Sequence, residues 1–239
     1  MKILAFAIAF LFSCLTAFAQ FGGMPSIHFT PPATTFHPTT PTLYFPSGGG
    51  RSSSQAKVTK GDPNVLQAKK ILVSLVTDTM RVEEYGSEKN LIDSMQSYYE
   101  RKKPGRGLKW RVEWDSSRTE KFKQLFITRF NDYGTESNTS VQTDTTGVAY
   151  HLYITITYLN PGNKTMANKE PASINTICDF RDMNGQSVVI VTVDDLFSRT
   201  FGKGSFPDIA RIGQCYQELG RDLYEAISHK FKVEDHDHY

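Results

Sequence analysis

Four groupings of residues in this chain carry chemical potential. Asp179 and Asp182, and Asp194 and Asp195, are paired acids near strand ends; paired carboxylates can serve as acid and base in hydrolysis. His236 and His238 alternate with Asp235 and Asp237 at the C-terminus, and imidazole with carboxylate suits zinc and similar ions. Cys178 and Cys215 are two thiols that can pair in an exported chain. Finally, Arg101 to Arg111 reads RKKPGRGLKWR, with six Lys or Arg in eleven residues.

Each grouping also has a plain structural explanation. The Asp residues stand beside turn segments, where Asp hydrogen-bonds its own backbone. The two histidines sit on a polar terminus, where closing a metal site costs ordering entropy, so they are weak candidate ligands. Cys178 lies in an apolar strand-like run and Cys215 on an amphipathic helix, which suits small buried side chains as well as a disulfide. The basic stretch lacks the strand, the Gly-x-x-x-x-Gly-Lys spacing and the Ser/Thr of a phosphate loop. Lys102 and Lys103 instead complement a helix C-terminus, while Pro104 and Gly105 end that helix. It reads as a connector between helices, with Lys102, Lys103, Arg106 and Lys109 as candidate contacts to an anionic surface.

The elements that must position these residues follow from pattern. The chain opens MKILAFAIAFLFSCLTAFAQ, a basic residue, an apolar run and Ala17-Phe18-Ala19, which reads as a signal peptide over residues 1–19. Cys14 after Ser13 leaves a lipid-bearing terminus as the alternative. Residues 20–55 hold six prolines between Pro25 and Pro46 with Thr, Gly and Ser, the composition of a disordered tether. A single α/β domain is assigned to residues 56–231 and a disordered tail to 232–239. The formal net charge of +2 gives no global field to draw in nucleic acid, so no nucleic-acid partner is expected, and membrane contact is peripheral at most. No cofactor motif is present, so none is expected.

Within the domain, Lys70 to Thr77 is a β-rich apolar run. Ser87 caps a helix carrying Leu91, Met95 and Tyr98 or Tyr99, and a second helix is expected from about Asp115, with Phe122, Leu125, Phe126 and Phe130 on one face. Ala149 to Leu159, Ser173 to Phe180 and Ser187 to Val193 alternate as strands, the last two joined by Asp182-Met183-Asn184-Gly185, a hairpin signal. From Pro207, residues Ile209, Ile212, Tyr216, Leu219, Leu223 and Ile227 form an apolar helical stripe. The expected class is α+β: a mostly antiparallel sheet of about four strands, helices on one face, and a long C-terminal amphipathic helix.

Several stretches together resemble a group of small, uncharacterised exported proteins of anaerobic gut-type bacteria. They are Val58 to Leu66, the Lys-Pro-Gly-Arg-Gly-Leu-Lys-Trp segment, Lys121 to Phe130, and Phe206 to Ile212 continuing to Tyr216, Gly220 and Leu223. More distantly, the element order is similar to the α/β domains of curli-secretion lipoproteins and TolB amino-terminal regions. The resemblance implies an envelope-associated docking or assembly module in the periplasm or outside the cell, with an unknown envelope protein or anionic surface component as partner. It supplies no catalytic residues. The alternative is a small secreted hydrolase using surface Asp residues.

Overall fold

The computed structural model describes residues 56–164, 169–199 and 204–228. The leader, the tether and the tail with His236 and His238 lie outside the described residues. The strands are β1 (Ala56–Lys60), β2 (Lys70–Val76), β3 (Arg81–Val82), β4 (Ser140–Gln142), β5 (Tyr150–Asn160), β6 (Asn163–Lys164), β7 (Lys169–Glu170), β8 (Ser173–Arg181) and β9 (Ser187–Phe197). The helices are α1 (Glu88–Lys102), α2 (Arg106–Ser116), α3 (Phe122–Gly134) and α4 (Pro207–Ser228).

Seven strands form one open sheet in the order β1-β9-β8-β5-β2-β4, with β3 pairing the far end of β5, and β6 and β7 form a separate ribbon. This enlarges the expected four strands, and parallel pairings stand beside the antiparallel ones. The β1–β9, β9–β8 and β8–β5 pairings are antiparallel, whereas β2 runs parallel to both β4 and β5, and β3 parallel to β5. The cause is connectivity. The chain leaves β2, passes through α1 to α3, and returns to the same sheet, and a crossover of that length delivers parallel strands.

Side-chain alternation decides which sheet face is covered. Leu152, Ile154 and Ile156 of β5, Ile174 and Cys178 of β8, and Val189, Val191 and Val193 of β9 are all 0% exposed, beneath the helices. A bulge between Ile156 and Tyr158 restores inward pointing at Leu159, which is 2% exposed. The α4 stripe packs on this face, with each of its six apolar residues at most 5% exposed. At Gly220 a Cβ would lie 2.6 Å from the Phe126 carbonyl oxygen, so only glycine permits the close approach of α4 to α3.

The second helix begins nine residues earlier than the sequence pattern suggests. Arg106 to Ser116 is α-helical, and a π-helical turn over Ser117–Lys121 carries it into α3. Eight residues separate Trp114 from Phe122, more than two α-helical turns, and the wider π turn takes up the excess rotation. Phe122 thereby stays on the Trp114 side. An aromatic series results: Tyr99, Trp110, Trp114, Phe122 and Tyr216, with successive ring centroids 6.2, 5.6, 6.1 and 4.8 Å apart.

Candidate functional site

The opposite face of the sheet carries no helix among the described residues. Strand register sets its side chains in rows. Val76, Thr155, Ile177, Thr192 and Lys57 form one row; Ser74, Tyr153, Asp179 and Ile190 the next; Leu72, His151, Arg181 and Ser187 the third. Ile177 is 41% exposed and its neighbours are half-buried or exposed. The face is therefore a flat mosaic: Leu72, Val76, Ile177 and Ile190 supply apolar area, and Thr, Ser and the Asp179–Arg181 pair supply polar contacts.

A serine, a histidine and an aspartate share this face, and their geometry decides what they can do. Ser74 Oγ lies 2.9 Å from His151 Nε2. The imidazole lies against Tyr153 with centroids 4.0 Å apart and the rings tilted by 32°, and the Arg181 guanidinium lies 4.8 Å from the Tyr153 ring centroid. Burial, with Arg181 nearby, holds the His151 pKa below its ordinary value, so the ring is neutral at pH 7. Asp179 does not orient it: one oxygen accepts from Arg181 Nε at 2.7 Å and the other from Ser187 Oγ at 2.6 Å. A serine nucleophile also needs backbone donors aimed at a developing oxyanion, and the strand amides here are engaged in ladder bonds. Hollows lie instead among the helices and at the end of β2. The arrangement suits recognition better than acyl transfer.

Of the other Asp candidates, Asp182 is built into a turn, and Asp194 and Asp195 lie in β9. Asp182 Oδ1 accepts from the amides of Asn184 and Gln186, closing the β8–β9 hairpin, where Gly185 takes φ 79°. Asp195 itself adopts φ 50° and donates its amide to Asn175 Oδ1 at 2.9 Å. Asp194 is exposed on β9. Asp179 and Asp182 thus serve different partners, and the structure does not assemble them into one acid–base pair.

The RKKPGRGLKWR stretch is the corner between α1 and α2. Lys103 caps α1, its amide donating to the Tyr99 carbonyl at 3.2 Å, and Gly105 turns the chain with φ 75°. The amides of Gly105 and Gly107 point together, as in an anion-binding nest, but the chain fills the nest itself: Glu100 Oε1 accepts from Gly105 at 2.7 Å and Oε2 from Gly107 at 3.0 Å. Arg106 is likewise engaged. Its guanidinium donates to the Ser205 carbonyl at 2.8 Å and lies 5.3 Å from the Tyr99 ring and 5.7 Å from the Phe206 ring. Of the four candidate surface cations, Arg106 is therefore a packing residue, and Lys102, Lys103 and Lys109 are exposed.

Beneath the corner, Asp208 at the start of α4 is 5% exposed and accepts from Tyr99 Oη at 2.6 Å and Trp110 Nε1 at 2.7 Å. One carboxylate thereby ties α1, α2 and α4 together. Burial first, and then the Asp208 charge, push the Tyr99 phenol well above its ordinary pKa. Three residues later Arg211 donates to the carbonyls of Pro161 and Gly162, fixing the turn after β5.

Cys178 and Cys215, whose pairing the sequence leaves open, are separate free thiols, both 0% exposed. Burial pushes the Cys178 thiol up to about 12 and Cys215 higher still, the opposite of a reactive thiolate. Among the described residues no cluster of three or more His, Cys, Asp or Glu could hold a metal ion, and no helix is long and apolar enough to cross a membrane.

Sequence pattern does not single out Ser74, His151, Tyr153 or Arg181. The available signal is the polar phase of each strand, but which residues meet depends on long-range register. No family model matches this chain, and no curated protein does. Among solved structures it is similar to two crystal forms of the PelC dodecamer from Paraburkholderia phytofirmans, at 13% and 11% identity, each with a TM-score of 0.34, covering 68% of this chain and 95% and 96% of those chains. At that TM-score the likeness carries no functional inference.

Proposed function

We propose that this chain is an exported, envelope-associated interaction module that docks a partner protein on the open face of its sheet and performs no catalysis. The carrying observation is that face itself: three cross-strand rows without a covering helix among the described residues, with Ile177 41% exposed among Val76, Thr155 and Thr192. A face with isolated aliphatic side chains among hydroxyls and one charged pair resembles an interface core with its polar surround. Export rests on the leader and its Ala17-Phe18-Ala19 site, and a docking role is what the resemblance to exported envelope proteins implies. The hydrolase alternative would need Ser74–His151 or the surface Asp residues to act, and their partners favour a structural role.

Capture from the native envelope tests the reading. The tagged, exported chain should retain an envelope protein that Ile177→Glu no longer retains, while the thermal midpoint of that variant stays near wild type because the side chain is already exposed. Equal capture by both forms would count against the open face.

A further inference from the structure

Two observations at the α1–α2 corner point the same way. Leu108 and Val112 are 63% and 61% exposed and stand one turn apart on the outer side of α2, and Tyr98 of α1 is 40% exposed. Large aliphatic side chains held so far into solvent, on the same helix that buries Trp110 and Trp114, receive little packing benefit from the fold. The second observation is charge. From Tyr98 to Val112 the chain has six Lys or Arg and one acid, Glu100. Glu100 is committed to the amides of Gly105 and Gly107. Among the described residues no ion pair involves Arg101, Lys103 or Lys109, while Lys102 lies 4.2 Å from the Tyr98 ring centroid.

We propose that this corner is a peripheral docking site for an anionic phospholipid surface. Leu108 and Val112 enter the boundary between headgroups and acyl chains, and Arg101, Lys102, Lys103 and Lys109 meet the lipid phosphates around them. The combination distinguishes a bilayer from a free anion. The backbone nest that would take a single phosphate is already filled by Glu100, and a phosphate ion gives Leu108 and Val112 no apolar medium to enter. A bilayer supplies both media at one depth, and long basic side chains extend toward the headgroups while their stems stay beside the apolar residues. A folded acidic protein would instead need a complementary hollow for two projecting aliphatic residues. The projecting apolar pair set among basic side chains therefore favours lipid, and the two residue types give separable effects.

The exported chain should co-sediment with vesicles of phosphatidylcholine containing phosphatidylglycerol and not with phosphatidylcholine alone. Each basic residue near an anionic surface contributes about 1 kcal/mol, or about five-fold. Lys102→Gln with Lys103→Gln and Lys109→Gln should thus weaken partitioning by about 100-fold. Raising salt from about 0.01 M to about 0.15 M, which shortens the screening length from about 30 Å to about 8 Å, should weaken it as well. Leu108→Ser with Val112→Ser leaves every charge in place and should still lower partitioning at least several-fold, with an unchanged melting curve; Leu108→Gln alone is a milder second variant. Inorganic phosphate at the same ionic strength should compete no better than chloride. Binding to neutral vesicles alone, failure to bind anionic vesicles, or binding indifferent to both Leu108 variants would overturn the proposal. Selective competition by inorganic phosphate would do so too, by assigning the corner to a free anion. Ile177→Glu, on the open sheet face, should leave vesicle binding unchanged, so this test and the partner-capture test fail independently.

Discussion

Replacing Asp208 with Ala removes the carboxylate that accepts from two buried donors, Tyr99 Oη and Trp110 Nε1. Tyr99 is 6% exposed and Trp110 0%, so water does not readily replace the carboxylate. Each stranded donor costs about 1–3 kcal/mol, and the lost negative charge in the first turn of α4 costs about 0.3–1 kcal/mol more. Asp208→Ala should therefore destabilise by about 2–7 kcal/mol, a drop of roughly 5–25 °C in Tm for a domain of this size. Asp208→Asn keeps one acceptor oxygen and should cost about half as much. Urea unfolding followed by tryptophan fluorescence reads both, because Trp110 reports its own environment. The cycle with Tyr99→Phe is the sharper assay: removing the hydroxyl should make the Asp208→Ala change cheaper by about 1 kcal/mol or more, since one stranded donor is gone. Additive effects in that cycle, or a cost below about 1 kcal/mol for Asp208→Ala, would refute the assignment of Asp208 as the tie between α1, α2 and α4.

Leu219→Ala and Leu223→Ala, both 0% exposed in the middle of the α4 stripe, should each cost about 2–5 kcal/mol in equilibrium unfolding. By NMR titration His151 should show a pKa below its ordinary 6.5, rising toward that value in a variant that exposes the ring. Because its folded pKa is depressed, the associated stability is complete above pH 6.5 and is lost as pH falls from 6.5 through the folded pKa, and His151→Gln should remove that component of the pH dependence. In a chain with Cys14→Ser, the two remaining thiols should react with a water-soluble disulfide reagent only after denaturation, since Cys178 and Cys215 are buried and free.

The parts of the fold legible in the sequence are those with strong local periods or turn chemistry. Ser87 caps α1, accepting from the Asn90 amide at 3.3 Å; Asp182-Met183-Asn184-Gly185 closes the β8–β9 hairpin; and the Ile209-to-Ile227 stripe is buried as its spacing requires. The start of α2 was hidden because Pro104, Gly105 and Gly107 look like one loop. Gly107 is instead a contact glycine inside the helix, where a Cβ would lie 2.4 Å from the Gln96 carbonyl oxygen. The strands β1 and β4 are five and three residues long, too short for a period to show. Parallel pairing of β2 has no local signature at all, since it follows from where the helices return the chain. The open face was invisible for the same reason. Ser74 meets His151 across 77 residues, and Asp208 meets Tyr99 across 109.

The most direct test of the central claim is photo-crosslinking from within the cell envelope, with a photoreactive residue placed at Ile177 on the open sheet face or, as a control, at exposed Gln124 on α3. The docking account predicts a discrete protein adduct from position 177 and none from position 124. Adducts from the helical position alone, or no adduct from the sheet face in the native envelope, would contradict it.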